Sequence, residues 1–157
     1  MSADAQVEGR EEGASNAVQI EIETSPTPAD EQVVWHGLRQ HNEAYVSAAG
    51  DSTFAVFLRD MNGVVIGGVL AKVGRGWLHL NTLWVDPSVR GQGYGTQLMA
   101  ATEAEARRRG CHSAYLDTFS FQARPFYERC GYEVFGTLED FPAGHQRFFM
   151  RKSLCRR

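Results

Sequence analysis

The sequence predicts one α/β domain: a central mixed, mostly antiparallel sheet of seven strands flanked by about four helices. Three observations carry this. Stretches of period-two alternation recur along the chain, bounded by Gly, Pro and Asn-Gly turns. A well-specified helix from about Tyr94 to Arg109 separates two of those stretches, so the strands it joins run parallel through a crossover. The strand before that helix stops at Asp86-Pro87. It enters the helix through Arg90-Gly91-Gln92-Gly93-Tyr94-Gly95, a loop with glycine at every second position.

Composition bounds the function classes. The 157 residues suffice for one domain with a real core. A net charge of −3 argues against a nucleic-acid or anionic-membrane surface. No apolar run approaches membrane-spanning length, and Met1 to Gln6 lacks the order of a signal peptide. Cys111, Cys130 and Cys155 are odd in number and far apart. With the five histidines they give no metal-ligand spacing, so no metal is expected and a reducing, cytoplasmic compartment is.

The elements follow in order. Residues 1–17 are small and acidic and read as a disordered tail, with the domain spanning 18–157. Val18, Ile20 and Ile22 alternate with Gln19, Glu21 and Glu23, the pattern of a half-buried first strand. Asp30 is placed to cap a helix through about His41, with Val33, Val34 and Leu38 inward, and Asn42 to Ser52 suggests a short second helix. Thr53–Arg59 and Val64–Val73 form a hairpin about Asn62-Gly63, and Gly67-Gly68 implies close backbone approach or a bulge.

In Trp77–Val85 the aliphatic set changes parity, from Leu78 and Leu80 to Leu83 and Val85. One extra residue near Asn81-Thr82 repairs the alternation, which predicts a β-bulge there. The long helix carries Glu103–Arg107 and Glu105–Arg109 pairs, inward Leu98, Met99, Ala101 and Thr102, arginines at its negative end and Gly110 after it. Ser113–Thr118 is the next strand. Phe121–Cys130 is a short helix with Pro125 in its first turn, and strands Tyr132–Phe141 and Gln146–Leu154 close the chain.

Strand, glycine-rich loop and helix N-terminus is the geometry that holds phosphate, because loop amides and the helix's first free N–H groups converge. The loop has no Gly-Lys-Ser/Thr, and Thr96 stands where a dinucleotide fingerprint wants glycine. Arg/Gln-x-x-Gly-x-Gly/Ala fits. That pattern resembles the acetyl-CoA loop of the GCN5-related N-acetyltransferases. Ser120-Phe121-Gln122-Ala123-Arg124-Pro125-Phe126-Tyr127-Glu128-Arg129-Cys130-Gly131-Tyr132 is similar to that family's second landmark, Asn/Ser-x-x-Ala-x-x-x-Tyr-x-x-x-Gly-Phe/Tyr.

The resemblance covers about Thr53 to Lys152 and implies the family's fold, in which the bulged strand splays from its parallel neighbour and admits the pantetheine arm. It implies acetyl-CoA as cosubstrate, bound by Leu83, Trp84 and Val85, by the loop Arg90, Gly91, Gln92, Gly93, Tyr94, Gly95 and Thr96, and by Ser120, Phe126 and Arg129. It implies Tyr127 as the acid that protonates the leaving thiolate, and direct transfer to an amine with no covalent enzyme intermediate. His79 and Asp117 are candidates for the base, with water-relayed deprotonation the remaining alternative. The expected acceptor is a small-molecule amine, and a homodimer is compatible with the family. Competing readings are a non-catalytic acyl-CoA-binding domain and a peptide or protein N-acetyltransferase.

Overall fold

The computed structural model describes residues 18–46 and 50–155; the acidic tail expected over 1–17 lies outside them. The chain divides into two units, Met1–Val46 and Ser47–Arg157.

In the first unit, helix α1 spans Pro28–Glu43. It begins two residues before the expected cap. Thr27 is the N-cap, its hydroxyl accepting from Asp30 N at 3.2 Å, and Pro28 takes the first turn, where a missing N–H costs nothing. Asp30 is the third residue in, and its carboxylate accepts a hydrogen bond from the Thr27 hydroxyl. Among the described residues no second helix is present: residues 42–43 finish α1, 44–46 turn, and residues 47–49 lie outside them. The first strand is also absent. Residues 18–23 are in no strand, and Val18, Ile20 and Ile22 are exposed. Alternation supplies an apolar face but not a hydrogen-bonding partner, and a strand needs both. Val33, Val34 and Leu38 are exposed as well, because one helix cannot bury its own stripe.

The second unit is a six-stranded sheet in the order β1-β2-β3-β4-β6-β5, with β1 Ser52–Arg59, β2 Val65–Gly74, β3 Trp77–Val85, β4 Ser113–Phe119, β5 Glu133–Glu139 and β6 Gln146–Ser153. Among the described residues the α/β architecture thus has six strands and three α-helices, not seven and four, the differences being the two elements missing before Ser52. All neighbours are antiparallel except β3 and β4, which helix α2, Tyr94–Arg108, connects in parallel. Helix α3 covers only Arg124–Arg129. Pro125 has no N–H to donate to the Phe121 carbonyl, so it is confined to the first turn and the helix starts at Arg124 rather than at Phe121. Gly68 is set by close approach: a Cβ there would lie 2.7 Å from the Val56 carbonyl oxygen.

The core lies between the sheet and α2. Val69, Ala71 and Val73 of β2, Leu78 and Leu80 of β3, Ala114, Leu116 and Thr118 of β4, and Phe148 and Met150 of β6 meet Leu98, Met99, Thr102 and Ala106. Ala101 is exposed, and Glu103 is buried where a stripe of apolar residues was expected. Its carboxylate, 4% exposed, accepts from Lys152 Nζ (2.7 and 2.8 Å), Arg107 (3.3 Å) and the Tyr132 hydroxyl (3.2 Å). This ties α2 to β6 and to the end of α3. Removing one partner strands a buried charge, so Lys152→Met should cost about 3 kcal/mol. Breaking the exposed Arg151–Glu133 pair should cost about 1 kcal/mol or less. Chemical unfolding of Lys152→Met beside Arg151→Gln checks the contrast; equal losses would contradict it.

Candidate active site

Three local departures from regular structure make one cleft. The first is the bulge. Leu70 pairs with Thr82 and Ala71 with Leu80, so Asn81 is the extra residue of β3. The expected parity change follows: Leu78 and Leu80 are buried before it, and Leu83 and Val85 pack on the same core after it. The second is the splay. β3 and β4 pair only at Trp77–Ser113, Leu78–Ala114 and His79–Tyr115, and beyond His79 the two strands part.

The third is the loop into α2. Asp86 ends β3 and its carboxylate accepts from Ser88 N at 2.9 Å. Arg90 Nε donates back to the Val85 carbonyl at 2.8 Å, pinning the loop to the strand it leaves. Gly93 is the N-cap of α2 with φ of 81°, a left-handed conformation that side chains resist. No side chain caps this terminus and no acidic residue occupies its first turn. The first N–H groups of a 15-residue helix therefore stay available, and the dipole favours an anion there. The terminus thus fits a phosphate on grounds of its own geometry.

The resulting cleft has a volume of about 880 Å³. It passes through the sheet where β3 and β4 part. Thr118 lines it from the core face, and Asp117, on the opposite face of β4, lines it too. Of the residues singled out in the sequence, it brings together Leu83, Trp84, Val85, Arg90, Gly91, Gly93, Tyr94, Gly95, Thr96, Asp117, Phe126, Tyr127 and Arg129.

Three others stand apart. Gln92 is exposed on the loop and is not on the wall. Ser120 is used elsewhere: its hydroxyl accepts from Gln146 N at 3.2 Å and meets His145 Nδ1 at 3.3 Å, closing the corner between β4 and β6. His79 stops where the ladder stops, its ring stacked on Tyr115 at 4.4 Å and 2°. The sequence reading missed several wall residues, Gln122 and Cys130 among them. Gln122 Oε1 accepts from Thr118 Oγ1 (3.2 Å) and Phe119 N (3.0 Å), which holds the turn leading into α3. Its place within the second landmark was the available signal.

Tyr127 sits on α3 with its ring edge-on to Phe126 (5.2 Å) and Tyr132 (6.2 Å). Phe126 in turn lies against Gly95, where a Cβ would come within 3.2 Å of its ring. Burial pushes the Tyr127 phenol above its ordinary value, with Cys130 and Asp117 adding to the shift. The hydroxyl is therefore protonated at neutral pH. Burial likewise lowers His79 from 6.5, Asp117 opposing and Lys72 assisting. The ring is then neutral, able to accept a proton, over more of the physiological range. No helix among the described residues is long and apolar enough to cross a membrane.

Comparison with known proteins agrees with this geometry. The profile of the Acetyltransferase (GNAT) family matches residues 16–132. The chain is 37% identical over 102 residues to a blasticidin-S acetyltransferase of Streptomyces morookaense, covering 64% of this chain and 75% of that protein. It is 33% identical over 122 residues to acetyltransferase Atu2258 of Agrobacterium fabrum, covering 78% and 89%. The crystal structure of an acetyltransferase from Bacillus cereus superimposes with a TM-score of 0.79 at 32% identity, covering 85% of this chain and 97% of that one.

A depressed histidine loses folding stability on acidification. Between its unfolded value near 6.5 and its lower folded value the unfolded chain binds more protons, and the contribution present above 6.5 fades. Titration of the His79 ring protons by NMR should give a midpoint below 6.5; a midpoint at or above it would contradict the burial argument.

Proposed function

Since the chain belongs to the acetyltransferase (GNAT) family and is an acyltransferase, we propose that it carries an acetyl group from acetyl-CoA directly to a primary amine of a small molecule. The observation that carries this reading is a single cleft whose wall includes the uncapped α2 terminus, the Asn81 bulge and Tyr127. An open anion site beside a gap in the sheet suits a long thioester whose phosphates and reacting carbon are far apart.

In this reading the amides of Gly91, Gly93 and Gly95 and the first turn of α2 hold the pyrophosphate. The pantetheine arm passes beside Leu83, Trp84 and Val85. The backbone freed from pairing at Asn81 polarises the thioester carbonyl. The attacking amine first loses a proton, to Asp117, to water, or through water to His79, whose ring is not on the wall. Its nitrogen bonds to the carbonyl carbon, the carbon–sulfur bond breaks, the sulfur takes a proton from the Tyr127 hydroxyl, and the nitrogen sheds its extra proton to water while the phenolate regains one from solvent. The raised pKa keeps that proton in place at neutral pH and also makes the phenol a weaker acid, so proximity to the sulfur must supply the advantage. Ser120 and Gln92, being off the wall, take no part.

Thiol release from acetyl-CoA over a panel of aminoglycosides, polyamines and amino acids tests this, with Tyr127→Phe alongside. The expected result is turnover of one class, reduced about 10²-fold in kcat by the variant with acetyl-CoA binding retained. An unchanged kcat would remove Tyr127 from the acid's role. Absence of acetyl-CoA binding by calorimetry would overturn the proposal itself.

A further inference from the structure

Asp117 is the only carboxylate on the cleft wall among the described residues, and it is not alone. Arg147 Nε donates to Asp117 Oδ2 at 2.7 Å. The pair lies on the face of the sheet opposite α2. On β4 that face carries Tyr115, Asp117 and Phe119; on β6 it carries Arg147 and Phe149, in register with Phe119 and Asp117 respectively. The guanidinium carbon stands 5.3 Å from the ring centre of Phe141, 5.4 Å from Phe119 and 5.5 Å from Phe149. The side chains of Arg147 and Asp117 are 29% and 25% exposed, so the pair is partly shielded and still reachable from solvent.

This arrangement leaves donors over. Arginine presents five N–H groups in a rigid fork, and the contact to Asp117 uses Nε. The two terminal nitrogens have no partner among the described residues. A brace for β4 and β6 needs no more than the contact already made. The three phenyl rings flank the guanidinium and hold it in place, and a hydrogen bond to a charged donor is stronger than one between neutral groups. The remaining fork matches the two oxygens of a carboxylate. Asp117, one contact away and on the cleft wall, offers the complementary negative charge to an ammonium.

We propose that the acceptor is an amine bearing a carboxylate a few bonds away, in chemical class an amino acid. Its carboxylate is held by the terminal nitrogens of Arg147, and its amine is drawn to Asp117 at the mouth of the splay. The inference rests on the acetyl-transfer reading above and narrows its acceptor. It also disfavours polyamines, which would bring a second cation against Arg147 with nothing to offset it.

Matched probes test this: L-phenylalanine against L-phenylalaninamide, and L-lysine against L-lysinamide. Each amide keeps the shape and the amine but removes the carboxylate. The readout is the ratio of kcat/KM for acid over amide in the wild type, in Arg147→Gln and in Arg147→Lys. The ratio cancels any general loss from a loosened fold, and comparing it between variant and wild type cancels the amines' different basicities. One charge-assisted contact predicts that Arg147→Gln lowers the ratio about tenfold or more, through KM of the acid. Arg147→Lys keeps the charge without the fork and should fall between. Equal losses on acid and amide, or no turnover of either pair by a protein that still binds acetyl-CoA, would overturn the inference. Loss of acetyl-CoA binding would instead strike the underlying reading.

Discussion

The parallel ladder between β3 and β4 holds for three residue pairs and then ends, and the rest of the site depends on that ending. A continuous sheet would leave no passage between its faces. Two constraints keep the gap open. Asn81 adds a residue to β3 opposite β2, which bends the strand while keeping Leu83 and Val85 on the core side. Asp86-Pro87 then stops the strand, and Arg90 ties the outgoing loop to the Val85 carbonyl. The chain beyond must turn into α2 at the edge of the gap. The uncapped N-terminus of that helix is delivered there by the same geometry that opens the sheet.

The two ends of α2 are treated in opposite ways. At its start nothing satisfies the free N–H groups, which suits an anion brought from outside. Toward its end the charges are internally matched. Glu105 bonds both Arg108 and Arg109, which hold its carboxyl well below the ordinary range, at about 2. Glu103 is buried among Lys152, Arg107 and Tyr132. The helix is fixed at one end and left unsatisfied at the other. Tyr132 links that fixed end to the cleft, since its ring packs edge-on to Tyr127.

Much of this was legible in the sequence, for definite reasons. The parity change from Leu80 to Leu83 located the bulge because one buried face forces register. The alternate glycines and the Glu–Arg pairs of α2 located the loop and helix because both are local. What failed was non-local. The alternation of Val18, Ile20 and Ile22 could not say whether a partner strand exists. The helix cap is the local exception: Thr27 takes it in place of Asp30 because Pro28 favours the first helical turn. Ser120 matched a landmark by spacing, yet its hydroxyl is taken by Gln146 and His145, partners 26 and 25 residues away. Arg147, too, carries no local signal. Its place beside Asp117 arises only from the pairing of β4 with β6.

The central proposal is that acetyl-CoA enters through the gap between β3 and β4. Backbone amide shifts during titration of the labelled protein with acetyl-CoA test this most directly. Saturable shifts should be largest at Gly91, Gly93 and Gly95 and at Asn81 and Thr82, all on the wall of one cleft. Saturable binding that leaves Asn81 and Thr82 unmoved, or shifts centred on the β1 or β5 edge, would contradict it.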